Sequence, residues 1–326
     1  MVWRAEAPAN IALIKYMGKT DVSSNRPTNS SFSYTLDHLK SYVELEQALA
    51  GQNDSWESIT GSRFLHLSEK GQERFLRHLK FLKDAFQYEG NFKVRSGNGF
   101  PSDCGLASSA SSFAALTRAA CEALPQLTNK KPASLNDVAE FSRQGSGSSC
   151  RSFYTPWAIW GTEGVRPIEL PYKNLVHQVV VVDDKVKLVS SSDAHKRVIT
   201  SSLFKGRVDR AEQRMRDLLN ALKAEKWADA YEITWAEFWD MHALFETSRP
   251  SFGYMNGDSL NVLRHVQREM WHKQNDGPLV TMDAGPNVHL LYRPEQLELA
   301  KQFQGAFGSK YKVISSFDSR FGGENE

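Results

Sequence analysis

Four short segments of this chain combine glycine, small hydroxyl residues and isolated charges in ways that suit an anionic ligand. The first is Pro101-Ser-Asp-Cys-Gly-Leu-Ala-Ser-Ser-Ala-Ser111, a glycine loop that runs into an apolar helical stripe at Leu106, Ala110, Phe113, Ala120 and Leu124. Backbone N–H groups at a helix start are unpaired and partly positive, and Ser108, Ser109 and Ser111 add short donors, so the segment suits phosphate. Read alone, it equally fits a small-residue helix packed closely against another. It is neither a Walker A loop nor a dinucleotide-binding glycine turn. The second segment, Gly145-Ser-Gly-Ser-Ser149 with Cys150-Arg151, sets hydroxyl and backbone donors beside a planar guanidinium fork that matches a diphosphate or a carboxylate. The third, Ala9-Asn-Ile-Ala-Leu-Ile-Lys-Tyr-Met-Gly-Lys19, places Lys15 and Lys19 around Gly18 at a strand end, although solvated lysines on a strand look the same. In the fourth, Thr281-Met-Asp-Ala-Gly-Pro-Asn287, Asp283 sits on a sharp turn with its carboxylate either projecting or capping the turn. The nine histidines make no metal-ligand spacing, and His195 and His242 read as surface or packing residues. No serine-hydrolase elbow is present.

These segments need elements to carry them. The spacing predicts short β-segments over 2–16 around Pro8, strand character at Ser33–Leu36 and Tyr42–Leu49, a helix from Gln72 to Phe86 and a short strand at Phe92–Val94. Helices follow over 106–124 and about 135–143, then a β-branched strand at Val176–Val182. Helical patterns over 206–223, 226–246 and 258–273 precede strands at Leu279–Asp283 and Val288–Tyr292, a helix near 295–306 and a strand at Lys312–Phe317. Alternating β and α without a regular βαβα repeat favours an α+β fold. The polar stretch Asp183–Arg197 reads as a junction between parts 1–183 and 184–326. With 326 residues, 40 basic and 38 acidic side chains and a net charge of +2, the chain is globular, and the near balance argues against a nucleic-acid surface. No apolar run reaches 18 residues, the N-terminal residues lack the order of a signal peptide, and three cysteines are too few for a disulfide framework. The chain therefore reads as cytoplasmic, with no membrane partner.

Taken together and in this order, the segments resemble the mevalonate diphosphate decarboxylases of the galactokinase–homoserine kinase–mevalonate kinase–phosphomevalonate kinase superfamily. Pro101–Ala110 matches only the superfamily's ATP loop. The narrower signature is Asn10-Ile-Ala-Leu-Ile-Lys-Tyr with Gly18-Lys19, Arg143-Gln-Gly-Ser-Gly-Ser with Cys150-Arg-Ser152, and Met282-Asp-Ala-Gly-Pro-Asn287; weaker similarity covers 189–191, 200–201 and 250–256. The resemblance implies a two-part α+β fold, an N-terminal β-α-β sandwich and a ferredoxin-like C-terminal half, with the site in the cleft between them. It implies use of ATP and Mg²⁺ to convert mevalonate 5-diphosphate to isopentenyl diphosphate, CO₂, ADP and phosphate.

By the same resemblance, Asp283, Lys15 and Arg151 are catalytic. Tyr16, Gly18, Lys19, Ser146, Gly147, Ser148, Ser149 and Thr200 hold the substrate, with Lys70 the nearest candidate for a further cation on its diphosphate. Gly105, Leu106, Ala107, Ser108 and Ser109 face ATP, and Ser108 is the candidate Mg²⁺ ligand. Relatives of this kind are often homodimers. Met17 stands where the family has tryptophan, Ala194-His195 where it has Gly-Met, and Thr155-Pro156 where it has Gly-Gly; these departures bear on substrate preference and not on the catalytic set. The alternatives are a mevalonate 5-phosphate decarboxylase, a mevalonate-type kinase that releases no CO₂, or a protein that binds the ligand or RNA without turnover.

Overall fold

The structure, a computed structural model, describes residues 1–21, 24–59, 67–100, 108–185 and 187–318. In chain order the first part contains β1 (Val2–Ile14), β2 (Lys19–Asp21), β3 (Arg26–Pro27), β4 (Ser31–Gln47), β5 (Ser55–Ser58), α1 (Glu69–Phe86), β6 (Phe92–Asn98), α2 (Ser108–Thr128) and α3 (Leu135–Gly145). A 3₁₀ segment over Gly147–Phe153 then leads to β7 (Trp157–Gly161) and β8 (Gly164–Pro167). The second part contains β9 (Val176–Val181), α4 (Ser191–Arg197), α5 (Arg207–Lys223), α6 (Trp227–Glu246), α7 (Gly257–His265), β10 (Leu279–Thr281), β11 (Val288–Tyr292), α8 (Leu297–Phe307) and β12 (Lys312–Ser315).

Two sheets organise these elements. One has the order β5-β6-β4-β7-β8, with β1 also paired to β4; the other has the order β10-β11-β9-β12. The strand Val176–Val181, read from sequence as the end of the first part, pairs with β11 and β12 of the second sheet. The broken strand signals around Pro8 and between Leu36 and Tyr42 belong to two long paired strands. The β1–β4 register shifts between Pro8 and Ala9, and such a bulge accommodates a residue with no N–H to give the ladder.

Helix α2 is rich in alanine, and its buried Ala114, Ala115, Ala119, Ala120 and Ala123 let it lie close to β1, β4, α1 and α3 as the central helix of the first part. It continues through the buried Pro125, past the predicted end at 124. The predicted helix over 258–273 changes at Val266 into a wider π-helical segment, which brings Val266, Met270 and Trp271 onto the core.

One core joins the inner residues of both sheets, Ile11, Leu13, Phe32 and Trp157 with Val179, Val180 and Leu290, and takes in Phe238 of α6. A second core lies under α1 and α2. The third is small and lies where β1 ends, formed by Met17, Ala194, Met241, Phe245 and Ala284. Among the described residues no helix is long and apolar enough to cross a membrane.

Candidate active site

The ends of β1 and β10 come from different sheets and are tied together by the Thr281 hydroxyl, which donates to the Ala12 carbonyl over 3.0 Å. That tie brings Lys15 and Asp283 into contact. Lys15 is 1% exposed, and its Nζ donates to Asp283 Oδ1 over 2.7 Å. The Asp283 side chain keeps 29% exposure and faces a cavity of about 300 Å³. Its main-chain carbonyl accepts from Gly285 N at 2.8 Å and lies 3.2 Å from His242 Nε2. A carbonyl only accepts, so this nitrogen carries the imidazole proton.

The electrostatics of the pair follow from its burial. Desolvation alone would raise the Asp283 carboxyl, but Lys15, assisted by His289 and Arg151, outweighs it and holds the group below the usual carboxylate range. Desolvation lowers Lys15, against the opposing pull of Asp283 and Glu237.

Arg151 lies on the 3₁₀ segment, 3% exposed, and lines the same cavity. Its Nε donates to Asn10 Oδ1 at 3.2 Å and to Ser33 Oγ at 3.1 Å, and its Nη1 to Ser31 Oγ at 2.7 Å. The fork is therefore fixed from β1 and β4 at two nitrogens, Nε and Nη1. Asn10 also donates to the Ser148 carbonyl and to Ser152 Oγ, which binds the loop bearing Arg151 to β1.

Around this centre the structure gathers Tyr16, Lys19, Ser146, Gly147, Ser148, Ser108 and Ser109 on the cavity wall. Gly18 has φ +100°, and a side chain there would meet Thr28 Oγ1 at 2.8 Å and Phe204 at 2.9 Å, so the turn that aims Lys19 requires glycine. Gly147 allows the Tyr16 ring to lie where a Cβ would stand 2.7 Å away. His195 lines the cavity, accepts the Gly18 N–H at Nδ1 over 3.0 Å and packs on Tyr16 with ring centroids 4.3 Å apart. Burial, with Lys19 beside it, pushes His195 down to about 3, so the ring is neutral. Met17 is buried against Met241 and Ala284.

Comparisons with known proteins give the family. Residues 7–166 match the model of the diphosphomevalonate decarboxylase-like N-terminal domain, and residues 177–322 that of the mevalonate 5-diphosphate decarboxylase C-terminal domain. The chain belongs to the mevalonate diphosphate decarboxylase family. It is 32% identical to the diphosphomevalonate decarboxylase of Ganoderma lucidum, over 96% of this chain and 88% of that one. It is 30% identical to that of Saccharomyces cerevisiae, over 97% and 83%. Among solved structures, the mevalonate diphosphate decarboxylase of Legionella pneumophila is 50% identical with a TM-score of 0.90, covering 96% of this chain and 100% of that one. Another, MDDEF in complex with MVAPP, AMPPCP and magnesium, is 30% identical with a TM-score of 0.86 over 97% and 96%. The α+β fold expected from the resemblance is thus the fold of the family.

For this family member the remaining candidate residues divide as follows. Gly105, Leu106 and Ala107 lie outside the described residues. Ser149 is fully buried, with its hydroxyl hydrogen-bonded to Ser142 and to the Ser146 carbonyl, so it supports the loop from behind. Thr200 is exposed, away from the cavity, and its hydroxyl donates to the Arg197 and Arg249 carbonyls. Lys70 lines an adjoining cavity of about 700 Å³. Arg74, one turn further along α1, lines both cavities and is the cation this helix brings to the first.

Asn25 was legible only as part of a turn, yet it is a hub. Its Oδ1 accepts from Lys19 at 2.6 Å, its carbonyl accepts from Tyr16, and its Nδ2 donates to the Arg143 and Gln144 carbonyls. Among the described residues no group of three or more His, Cys, Asp and Glu side chains has the arrangement of a metal site. Ser108 and Ser109, on the first turn of α2, line both cavities, and their hydroxyls are of the type that suits a hard cation taking most of its ligands from phosphates and water.

Proposed function

We propose that this chain performs ATP-dependent decarboxylation of mevalonate 5-diphosphate with Asp283, Lys15 and Arg151 as its catalytic residues. The observation that carries the assignment is the 2.7 Å Lys15–Asp283 pair facing the cavity that Arg151 also lines. A tertiary alcohol is a poor leaving group, so the 3-oxygen must first become a phosphate ester. Asp283, kept ionised by Lys15, accepts a hydrogen bond from the 3-hydroxyl and takes its proton as the bond to the γ-phosphorus forms. Phosphoryl transfer is loose, so the proton leaves late and orientation matters more than basicity. Lys15 neutralises charge gathered during transfer. Loss of phosphate then leaves electron deficiency at C3, and the C–CO₂ bonding pair becomes the new double bond. Arg151 holds the carboxylate so that this bond is aligned. When bound, Mg²⁺ would supply charge neutralisation on the ATP phosphates, and Ser108 and Ser109 would be the residues to help hold it.

Tyr16, Gly18, Lys19 and the Ser146–Ser148 loop form the diphosphate end, joined by Arg74. Burial, with Arg74 and Lys196 adding like charge, lowers Lys19 to about 8. A cation under that pressure gains most from a multiply charged anion, which favours the diphosphate over the monophosphate. The sign is definite: Lys19 is charged below about pH 8 and loses its proton above it. We expect kcat/KM for the substrate to fall about tenfold from pH 7 to pH 9, because the protonated fraction of a group titrating at about 8 drops from about 0.9 to about 0.1 over that range. Lys19→Arg removes this limb; a limb that survives in Lys19→Arg belongs to another group.

The functional test incubates the protein with Mg²⁺-ATP and, separately, mevalonate, its 5-phosphate and its 5-diphosphate, following ADP and CO₂ together. Equal ADP and CO₂ with the diphosphate alone is the expected result; ADP without CO₂ makes the protein a kinase, and turnover of the monophosphate changes the substrate. Cytoplasmic residence belongs to the same reading, supported by the free, buried thiols of Cys121 and Cys150. A homodimer is expected on the resemblance alone, and the mass in solution tests it.

A further inference from the structure

We propose that Glu237, locked to Arg207, is a positioning residue that sets where Lys15 meets Asp283. Both Glu237 and Arg207 are 0% exposed. They grip the Lys15 main chain from two sides: Glu237 Oε1 accepts the Lys15 N–H over 3.0 Å, and Arg207 Nη2 donates to the Lys15 carbonyl over 3.3 Å. The pair is itself bidentate, with Arg207 Nη2 2.5 Å from Glu237 Oε1 and Nη1 3.0 Å from Oε2. Arg214 completes the carboxylate at 3.0 Å, and Asp240 bridges Arg207, Arg210 and Arg214.

Helix α6 holds the other partner too. His242, five residues beyond Glu237 on the same helix, is the ring that meets the Asp283 main-chain carbonyl. One rigid element therefore fixes the backbones on both sides of the 2.7 Å pair. A fully buried ion pair is a poor source of stability, because its desolvation cost matches or exceeds its attraction and an apolar pair of similar volume does as well. Registry is the use that its contacts indicate, and those contacts lead to Lys15.

The inference rests on the reading of Lys15 and Asp283 given above. The charged and titratable groups around Lys15 are Asp283 on the β10–β11 turn, Glu237 and His242 on α6, Arg207 on α5 and Arg151 on the 3₁₀ segment. Asp283 and Glu237 favour its ammonium form, while Arg151 opposes it. Glu237→Gln keeps an acceptor for the Lys15 N–H but removes one of the two favourable charges. Glu237→Asp keeps the charge but is one methylene too short to hold both Arg207 and Lys15.

The test measures ADP and CO₂ formation with saturating Mg²⁺-ATP and mevalonate 5-diphosphate across pH for wild type, both variants and Asp283→Asn. In Glu237→Gln we expect kcat to fall about 10–100-fold with KM for both substrates held within about twofold, and the alkaline limb of kcat to move to lower pH. In Glu237→Asp we expect a similar loss of kcat with the limb unmoved, and this variant carries the test if Glu237→Gln does not fold. A merely structural role lowers Tm and leaves kcat and the limb where they were, which overturns the proposal. So does a change confined to KM. A wild type that releases no CO₂ overturns the functional reading and this inference with it; a coupled wild type with unaffected Glu237 variants overturns the inference alone.

Discussion

Asp283→Asn is expected to lower ADP and CO₂ formation together by about 10³-fold or more while nucleotide binding persists, because a positioned proton acceptor contributes about 10²–10⁴-fold and no second carboxylate among the described residues lines the cavity. The change is nearly isosteric, so the turn and its main-chain contacts to Gly285 and His242 remain. Two things are lost at once. The amide cannot take the 3-hydroxyl proton, and Lys15 loses the larger of the two charges that opposed its desolvation, with Glu237 remaining. Removing one member of a buried pair costs about 3–5 kcal/mol when the other stays charged. Without the Asp283 charge, burial lowers Lys15 further, and loss of its proton relieves part of that cost. The partial exposure of Asp283 reduces it further. The variant should therefore stay folded, and silence reports chemistry. The carboxyl lies below its ordinary range in wild type, so kcat should show no acid limb above about pH 4. Near-normal turnover by Asp283→Asn removes Asp283 from its role, and for a silent variant stopped-flow binding of a fluorescent ATP analogue separates lost chemistry from lost nucleotide binding.

The parts of this site that were legible in sequence are those written in consecutive residues. Gly18-Lys19, the Ser146–Ser148 loop with Arg151, and Asp283 before Gly-Pro carry their chemistry locally, and the structure brings all three segments to one cavity. Helices α1, α5 and α6 and strand β11 follow their periodicities because their buried stripes are strong, and α3 is marked instead by its Ser134–Asp137 capping box. The Trp157–Gly161 and Gly164–Pro167 hairpin escaped notice because its buried tryptophans read as scattered core residues, and its pairing with β4 is set more than a hundred positions away. The same holds for β5, whose parallel partner is β6.

Helix α4 falls inside the polar stretch read as a junction. Its Ser190 cap, which accepts from Asp193 N, was an available signal, and with it came the ring of His195. Arg74 lies four residues from the candidate Lys70; their shared helix was visible, but which of the two faces the cavity depends on how α1 packs against α2. Glu237 gave the faintest signal, one of five acidic residues on α6 with nothing local to set it apart. Its meaning lies in Lys15, 222 positions away, and no local pattern carries that.

Arg151→Met should affect CO₂ formation at least as severely as ADP formation, and the reason lies in how its fork is held. The side chain is fully enclosed, and Asn10, Ser31 and Ser33 occupy Nε and Nη1, so the guanidinium cannot follow a moving ligand. A contact that only tightened the ground-state carboxylate would oppose its departure as CO₂, because binding substrate and transition state equally does not speed the step. The rigid fork gains its effect by alignment: it holds the C–CO₂ bond where its electron pair can pass to C3 as phosphate leaves. Loss of one such fixed donor set lowers kcat by about 10²–10³-fold, or about 3–4 kcal/mol. Methionine occupies much of the same volume but leaves Asn10, Ser31 and Ser33 without their buried donor, so Tm should fall as well. Arg151→Lys separates the two effects. It keeps the positive charge but cannot reproduce two fixed nitrogens against β1 and β4, and its turnover should lie far nearer to Arg151→Met than to wild type. If Arg151→Lys turns over like wild type, only a point charge is needed and the alignment argument fails. If both variants leave turnover and substrate affinity untouched, Arg151 has no place in the reaction.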